Sequence, residues 1–501
     1  MSSTVATHEP PRTRTPGEIL RRYREALAKT DALIERTPAA EGKSLAEVRQ
    51  RAEMRLARLR RFLAYLGNPH LRYPVVHVGG TSGKGSTSTA VAAILTAAGY
   101  RTGLHTSPYL QAATEKLQFD GRLIAGDRFA DLIDDLLATA DAWAARKDEG
   151  SLTYGEFWVA LTAVAFAQEP VDMAVIEVGA GGRFDMTNVV QPAVSVVTSI
   201  GLDHTVTLGP TVEQIAWHKA GIVKASAPVV TAVADPTGLR PILAEAAATG
   251  ATVTRVVPGA TFEILTEDAD GVTWHEVDAQ GIPGPTLTTA LPGRFQATNA
   301  ATAVAAVRAL AAQGFAVPFD AIREGLAHAR IPGRCEVVQA SPRVILDGAH
   351  NPDKVAALVA ELPRLAARPA GGHLIAVVGM LESKEHQAML RLIAPAVDEL
   401  VLTTPRVLAK PGTPVDLLAA EARAVGFGGT AIASDVPRSA LEQALGRAQA
   451  NRGDVVLVTG SLYLVGNLRP RWYPDDAVLL QQTPWPRPSP SQIGVNRDAT
   501  G

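Results

Sequence analysis

The sequence predicts an α/β protein of two domains, each built on a parallel sheet with helices on both faces. Its 501 residues are too many for one ordinary domain, and 47% of them are hydrophobic, which is enough to fill large cores. Short apolar segments alternate with helical stretches twice, first from Pro74 and again from near Ile331. Such alternation is typical of parallel sheets covered by helices.

The composition narrows the class of protein. Lysine and arginine total 48 and aspartate and glutamate total 50, a balance that does not favour nucleic-acid binding. Cys335 is the single cysteine, which excludes an internal disulfide and favours a reducing compartment. The sequence has neither an uncharged apolar run of about 18 residues nor an apolar signal region near Met1. We therefore expect a cytoplasmic protein without a membrane segment.

The first domain is predicted to follow a polar, proline-rich start. We expect residues 1–16 to be a disordered tail and residues 17–66 to form arginine-rich amphipathic helices. A buried strand is predicted over 75–78, followed by a glycine loop and a helix over 86–98. Further strands of this domain are predicted at 173–178, 194–199 and 229–233.

The second domain is predicted to begin at 331, just before Pro332 and Gly333, and to end at 470. A helix-rich stretch over 299–327 precedes it. Its strands are expected at 344–346, 374–378, 400–403 and 455–459. Residues 471–501 are rich in proline and are expected to form a flexible tail.

The loop GTSGKGS at 80–86 has the chemistry of a phosphate-binding site. A glycine loop that enters a helix directs backbone N–H groups at an anion, and Lys84 adds a full positive charge. The strict P-loop pattern requires a glycine in place of Val78 and a hydroxyl in place of Gly85, so that pattern fails. A plain glycine-rich turn is the alternative, but the preceding strand and the lysine favour a phosphate site.

Ten segments, in chain order, carry a resemblance to a known family. They are GTSGKGS (80–86), TSPYL (106–110), SLTYGEF (151–157), EVGAGGRFDMTN (177–188), TSIGLDH (198–204), KAGIVK (219–224), PGR (332–334), ILDGAHNP (345–352), GMLESKE (379–385) and TGSLYLVG (459–466). Together they resemble the folylpolyglutamate synthase and dihydrofolate synthase family, the folate branch of the Mur-ligase-like enzymes. The resemblance implies an N-terminal P-loop-type parallel-sheet ATPase domain over 17–330 and a smaller Rossmann-like glutamate-ligase domain over 331–470.

The resemblance also implies how ATP and its metal ions bind. The residues expected to contact ATP are Gly83, Lys84, Gly85, Ser86, Asn299, Arg334 and Asp347. Two Mg²⁺ ions are expected, one held by Ser107 and Glu177 and the other by Glu177 and His204. Lys219 is expected to be carbamylated by carbon dioxide, which would convert a cation into a carboxylate-like group at the metal site.

The implied reaction joins L-glutamate to a folate-type carboxylate through an acyl phosphate made with ATP. The residues expected to contact the folate or pteroate acceptor are Thr153, Tyr154, Gly155, Glu156, Phe184, Asp185 and Met186. Those expected near the glutamate are His350, Lys384 and Ser461, and those expected to be catalytic are Lys219, Arg334 and His350. We expect a monomer that acts on both dihydropteroate and tetrahydrofolate polyglutamates.

Several positions depart from the family's usual pattern, mainly toward the acceptor end. Ser82 replaces an asparagine, Lys116 replaces the arginine of a Glu-Arg pair, Gly155 replaces an aromatic residue and Ser383 replaces an aspartate. Two alternatives therefore stay open, namely another Mur-type amino-acid ligase with a different acceptor and a catalytically weak nucleotide-binding relative. The intact phosphate and metal residues favour an active ligase.

Overall fold

The computed structural model describes residues 14–35, 43–147, 149–225, 227–268 and 271–487. Most of the predicted tail at 1–16 and the end of the predicted tail at 471–501 lie outside these ranges. The strands of the first domain are β1 Val75–Gly79, β2 Thr102–His105, β3 Gln118–Phe119, β4 Arg122–Leu123, β5 Met173–Glu177, β6 Pro192–Val197, β7 Val229–Thr231 and β8 Val253–Arg255. Its helices are α1 Pro16–Glu35, α2 Leu45–Tyr65, α3 Lys84–Ala97, α4 Gly126–Lys147, α5 Tyr154–Gln168, α6 Thr205–Leu208, α7 Val212–Ala220, α8 Pro236–Thr249, α9 Phe295–Ala311 and α10 Phe319–His328.

These eight strands form one sheet in the order β4-β3-β2-β5-β1-β6-β7-β8. All neighbouring pairs are parallel except β2–β3 and β3–β4. Helices α1, α2, α4 and α5 pack on one face, and α3, α9 and α10 pack on the other. β1 and β5 lie adjacent and buried at the centre, so their carboxyl ends share the edge at which open α/β sheets bind ligands.

A small antiparallel sheet, which the sequence did not predict, lies between α8 and α9 in the chain. Its strands are β9 Phe262–Asp268, β10 Gly271–Val277 and β11 Pro283–Thr289. Phe262, Trp274 and Leu287 bury one face of it against α9 and α10. Because its other face is polar and exposed, its apolar pattern is too sparse to distinguish from a loop.

The second domain contains a six-stranded sheet in the order β12-β13-β17-β14-β15-β16. Its strands are β12 Glu336–Ala340, β13 Arg343–Leu346, β14 Leu374–Val378, β15 Glu399–Leu402, β16 Thr430–Ala433 and β17 Val455–Thr459. Its helices are α11 Pro352–Leu365, α12 His386–Ile393, α13 Val415–Ala424, α14 Pro437–Arg447 and α15 Leu462–Leu468. The chain then continues into α16 Asp475–Gln481, which packs on the first domain. All neighbouring strands are parallel except β12 and β13.

The predicted strands are all present, and each observed boundary lies within two residues of the predicted one. The loop helix begins at Lys84, two residues earlier than predicted. The chain from 471 to 487 differs from the expected flexible tail, because α16 buries Val478 and Leu479 in the first domain's core. Trp485 Nε1 also donates to Glu336 Oε1 at 2.8 Å. The prediction of a flexible tail from proline content was therefore wrong for residues 471–487.

Candidate active site

The glycine loop follows β1 and enters α3, as predicted. Gly80 and Gly83 have φ angles of 143° and 83°, which residues with a Cβ rarely adopt. A Cβ at Gly80 would collide with Thr198 Oγ1, and one at Gly83 would collide with Asn299 Oδ1. Ser86 is buried in the first turn of α3. The first amides of that helix lack partners within the helix, which makes this end an anion site.

Two lysines contact the backbone carbonyl of Gly80, the first residue of the loop. The Nζ atoms of Lys84 and Lys219 lie 3.1 and 2.7 Å from the Gly80 carbonyl oxygen. Burial of Lys219, together with the charge of Lys84, lowers the pKa of Lys219 well below the ordinary lysine value. Lys219 is therefore favoured as a neutral amine.

Glu177 lies at the end of β5, beside the loop. Because β5 lies between β1 and β2 in the sheet, the same edge also carries Ser107, whose N–H donates to Glu177 Oε2 at 3.1 Å. A Cβ at Gly85 would lie 3.7 Å from the same oxygen. Burial raises the pKa of Glu177, whereas Lys84, the Ser107 amide and Arg334 favour its carboxylate form.

Asp203 and His204 follow β6 and meet the second domain. Burial lowers the pKa of His204 to about 4, against the effect of Asp203, so the imidazole is neutral and able to bind a metal. Asp203 Oδ1 accepts from Lys384 Nζ at 3.0 Å, and Asp203 Oδ2 lies 3.8 Å from Lys354 Nζ. Against the effect of burial, His204 and the two lysines lower the pKa of Asp203. These ion pairs join the domains beside the predicted metal site.

Asp347 organises the edge of the second domain that carries Arg334 and His350. Its Oδ2 accepts from Cys335 N at 2.9 Å and its Oδ1 accepts from Ala349 N at 2.8 Å. Both carboxylate oxygens thus bind backbone amides, and the predicted contact of Asp347 with ribose or phosphate would use their remaining lone pairs.

His350 forms a pair with Lys354, a residue that the sequence did not identify. His350 Nδ1 lies 2.8 Å from the Gly348 carbonyl oxygen, and His350 Nε2 lies 3.0 Å from Lys354 Nζ. The first contact assigns the ring proton to Nδ1, so that Nε2 accepts from the lysine. Burial lowers the pKa of both groups, that of Lys354 to about 7.

Asn299, the predicted adenine contact, packs against the loop from α9. Its Oδ1 faces Gly83, and its Nδ2 donates to Gln296 Oε1 at 2.8 Å. The structure therefore brings the predicted ATP residues of the first domain together around one loop.

A cavity of about 590 Å³ lies between the domains. The predicted site residues that line it are Ser107, Tyr154, Gly155, Asp185, Met186, His204, His350, Lys384 and Ser461. Ser461 caps α15, and its Oγ accepts from Tyr463 N at 3.1 Å. One space therefore connects predicted metal, acceptor and glutamate residues.

Three predicted acceptor contacts lie elsewhere. Glu156 forms a capping box with Thr153 at the start of α5, with 2.6 Å between Thr153 Oγ1 and Glu156 Oε2. Glu156 Oε1 also accepts from Arg58 Nε at 2.8 Å. Phe184 packs against Trp217, with 5.9 Å between ring centroids. These contacts support structural roles for Thr153, Glu156 and Phe184.

Two cavity residues, Lys116 and Trp158, were missing from the predicted contacts. Lys116 Nζ lies 4.2 Å from the centre of a Trp158 ring and 5.4 Å from that of Tyr154. Trp158 lies one turn after Tyr154 on α5, so their spacing could have indicated a shared aromatic wall. Tyr154 and Trp158 line the cavity together with Gly155, where the resemblance implies an aromatic residue.

Within the described part of the chain, no group of three or more His, Cys, Asp and Glu side chains is placed to hold a metal ion. The predicted set is of another kind, since it includes the hydroxyl of Ser107 and a modified Lys219. Ser107, whose backbone N–H contacts the buried Glu177 carboxylate, and Glu177 itself nevertheless offer a hydroxyl and carboxylate oxygens. Such oxygen ligands fit Mg²⁺, which completes its shell with phosphates and water.

Comparison with known proteins matches both domains to one family. Residues 78–307 match the Mur ligase middle domain, and residues 333–462 match the Mur ligase glutamate ligase domain. A dihydrofolate synthase/folylpolyglutamate synthase of Bacillus subtilis is 34% identical, over 83% of this chain and 94% of its own length. This chain belongs to that family. It is also 37% identical, over 82% of its length, to a probable bifunctional folylpolyglutamate synthase/dihydropteroate synthase of Halobacterium salinarum, but it spans only 48% of that protein.

Solved structures of this ligase family have the same fold. A Mycobacterium tuberculosis folylpolyglutamate synthase complexed with ADP and AMPPCP has a TM-score of 0.76 at 29% identity, over 90% of this chain and 99% of that one. Escherichia coli FolC in complex with DHPP and ADP has a TM-score of 0.69 at 32% identity, over 86% and 97%. The predicted fold class and the prediction of an ATP-dependent Mur-type ligase are confirmed. None of the helices within the described ranges is long and apolar enough to cross a membrane.

Proposed function

We propose that this ligase uses ATP to add L-glutamate to a folate-type carboxylate, and that it accepts both dihydropteroate and tetrahydrofolate polyglutamates. The observation that carries this assignment is the single cavity whose walls combine Ser107 and His204 with Tyr154 and Asp185. The Bacillus subtilis relative is a dihydrofolate synthase/folylpolyglutamate synthase, and the E. coli relative was solved in complex with DHPP and ADP. Both support the same class of acceptor.

ATP is proposed to bind with its phosphates on the glycine loop. The first amides of α3 and the Lys84 ammonium would bind phosphate oxygens, and Arg334 would add a charge from the second domain. The M. tuberculosis relative, which was solved in complex with ADP and AMPPCP, supports adenine-nucleotide binding by this chain. Ser107, Glu177 and His204 would hold two Mg²⁺ ions, which neutralise phosphate charge when bound.

Lys219 is proposed to carry a carbamate. Its buried amine has a strongly lowered pKa and is therefore available as a neutral nucleophile. The nitrogen forms a bond to the carbon of carbon dioxide and loses one proton, which leaves an anionic carbamate. That anion would relieve the repulsion between Lys219 and Lys84 and place a negative charge near His204, whose pKa responds to Lys219.

The first chemical step is attack of the acceptor carboxylate on the γ-phosphate, with ADP as leaving group. A carboxylate is already a nucleophile, so the protein needs to position it and to neutralise charge rather than remove a proton. Lys84 and Arg334, whose cations both favour the carboxylate of Glu177, supply that charge from opposite domains.

In the second step the amine of glutamate attacks the acyl carbon, phosphate leaves and the amine loses a proton. We assign the orientation of this glutamate to the His350–Lys354 pair and to Ser461, which lies on the same domain. Water must be excluded because it would hydrolyse the acyl phosphate. The ion pairs of Asp203 with Lys354 and Lys384 close the cavity where that exclusion is needed.

A product assay tests this proposal. The purified protein is incubated with ATP, Mg²⁺, L-glutamate and either dihydropteroate or tetrahydrofolate, and the products are analysed by mass spectrometry. We expect ADP and one added glutamyl residue with each acceptor. Absence of a glutamyl product with both acceptors would refute the proposal, and product with tetrahydrofolate alone would remove its dihydrofolate synthase half. The monomeric state and the cytoplasmic location are still predictions. Size-exclusion chromatography would test the first and cell fractionation the second.

A further inference from the structure

A buried lysine lines the interdomain cavity. Lys116 is 5% exposed and lines the cavity, and its Nζ rests on the rings of Trp158 and Tyr154. No hydrogen-bond acceptor or ion-pair partner of that nitrogen is found in the part of the chain that the structure describes. A buried charge without a counter-charge is costly, so the rings compensate only part of its desolvation.

The backbone that carries Lys116 is held rigidly by its neighbour. The Glu115 carboxylate accepts from the backbone N–H groups of Leu110, Gln111 and Ala112 at 2.8, 3.0 and 3.0 Å. Lys116 ends the short 3-10 helix that this carboxylate organises. Glu115 is thus committed to the loop, and Lys116 is left to face the cavity.

Acidic residues at both ends of the proposed acceptor site act electrostatically on Lys116, which lines the same cavity. Asp185 on the acceptor side and Glu177 on the metal side both favour its charged form, whereas Lys410 opposes it. Burial is the largest effect and lowers the pKa of Lys116 to about 7. An anionic group of a ligand next to this nitrogen would restore its full charge and supply the missing partner.

We propose that Lys116 binds a carboxylate of the acceptor's terminal glutamate, namely the one that ATP does not activate. By this contact Lys116 determines selectivity for folates over pteroates. This inference rests on the proposed function. A pteroate has one carboxylate, which ATP activates, whereas an acceptor that already ends in glutamate has a second one. A single cation in the wall of the cavity can therefore distinguish the two acceptors, since only one of them has a second carboxylate to offer.

The test compares Lys116→Met with wild type on three acceptors. They are dihydropteroate, tetrahydrofolate monoglutamate and a tetrahydrofolate analogue whose non-reacting carboxylate is a carboxamide. Methionine keeps the packing on Trp158 but removes the charge. We expect KM for the monoglutamate to rise about 10- to 100-fold, the effect of losing one charged hydrogen bond, and KM for dihydropteroate to change less than about twofold. The carboxamide should be as poor a substrate for wild type as for the variant.

Lys116→Arg is the matched control, because it keeps the charge and should retain the preference for the monoglutamate. Equal losses on dihydropteroate and monoglutamate would overturn the inference and indicate a structural role. If Lys116→Met does not fold, the wild-type comparison of carboxylate and carboxamide decides, since equal KM values would overturn the inference. Failure of the proposed function itself is distinguishable, because wild type would then glutamylate none of the three acceptors.

Discussion

Lys219 illustrates how a residue's surroundings select its chemical form. An unmodified ammonium at this position would be buried beside the Lys84 ammonium, with the Gly80 carbonyl as its hydrogen-bond acceptor. Like charges at such proximity in a buried site are unfavourable. Either the amine is neutral or it is converted to an anion, and both outcomes leave the positive charge of Lys84 free for phosphate.

Lys219→Ala is expected to lower kcat about 100- to 1000-fold, the usual effect of removing one electrostatic group from an active site. Lys219→Glu, which keeps an anion, should recover part of the loss. Steady-state ADP release measures both effects, and native mass spectrometry of wild type should show the added mass of one carbon dioxide. Unchanged activity in Lys219→Ala would contradict the carbamate.

Asp454 supplies a pH-dependent contribution to the stability of the second domain. Its carboxylate accepts from His373 N at 2.8 Å, Gln449 N at 2.7 Å and Arg452 Nη2 at 2.6 Å. Against the effect of burial, these donors lower the pKa of Asp454 to about 2. Because the folded-state pKa is below the unfolded one, near 4, the stabilisation is present at neutral pH and is lost as pH falls from about 4 to 2.

Asp454→Asn is therefore expected to destabilise the protein by about 2 kcal/mol at pH 7, which lowers Tm by several degrees. The difference from wild type should shrink as the pH is lowered through 4. Differential scanning calorimetry at pH 7, 5 and 3 measures it. Asp416→Asn, at an exposed position on α13, is the control and should show no such convergence. A gap in Tm that is constant with pH would contradict this assignment.

At the scale of the element, the strand–loop–helix unit explains why the strict P-loop pattern fails. The residue after Lys84 is Gly85, where a Cβ would lie 3.1 Å from Ile331 Cδ1 and 3.7 Å from Glu177 Oε2. A larger side chain there would crowd the proposed metal ligand. The hydroxyl follows one position later, at Ser86.

Gly83→Ala is expected to weaken ATP binding at least about 10-fold, because the new Cβ meets Asn299 and the φ angle of 83° disfavours alanine. Gly250→Ala is the matched control. Gly250 also has a positive φ, as the C-cap of α8, but it has open space around its Cα. That change should cost about 1 kcal/mol of stability and leave ATP affinity unaltered. Isothermal titration with an ATP analogue distinguishes the two, and equal affinities would refute the steric argument.

The accuracy of sequence-based prediction follows the physics of each element. β5 and β17 were predicted because strands buried on both faces are continuously apolar. β9 and β11 were missed because each presents several exposed positions to solvent. The sequence predicted the site where short motifs occur at strand ends, as for Glu177. It missed the His350–Lys354 contact although the two residues are four apart, because His350 precedes the N-cap residue Asn351 of α11 and its orientation depends on the loop.

For two predicted acceptor contacts, Thr153 and Glu156, the sequence itself also indicated a structural role. The spacing of Thr153 and Glu156 is that of a capping box, S/T-x-x-E, which commits both side chains to a helix start. The structure contains this box, with Arg58 as a further partner of the carboxylate. The resemblance to the family identified this segment. The capping rule indicates which of its residues are used to start the helix and are therefore turned away from the cavity.

At the scale of the molecule, several contacts join the domains, among them two sets that lie in different places and a bond from Arg294 N to Glu361 Oε1 at 2.8 Å. One set surrounds the chemistry and consists of the pairs of Asp203 with Lys354 and Lys384. The other lies near the chain's end, where Arg469 Nη1 donates to Gln111 Oε1 at 2.6 Å. Because Gln111 and Arg469 do not line the cavity, their contact can persist if the Asp203 pairs separate to admit substrates.

Asp203→Asn and Lys384→Met are each expected to uncouple ATP use from ligation. Without the ion pair the cavity closes less tightly, water reaches the acyl phosphate, and more ADP is released per glutamyl product. The double variant should be no worse than Asp203→Asn alone, because that substitution already removes the ion pair with Lys384 together with the one with Lys354. ADP release and glutamyl product, measured in the same reaction, report this ratio.

Arg24→Gln is the control, since Arg24 pairs with Asp476 at 2.8 Å on an exposed surface away from the cavity and should leave the ratio unchanged. The same variants separate two roles of Lys384. If it only closes the cavity, KM for glutamate changes no more in Lys384→Met than in Asp203→Asn, which also releases Lys354. If it also contacts glutamate, as its sequence motif suggests, KM rises further in Lys384→Met alone. Additive losses in the double variant, or an unaltered ratio in all three, would exclude the closing role.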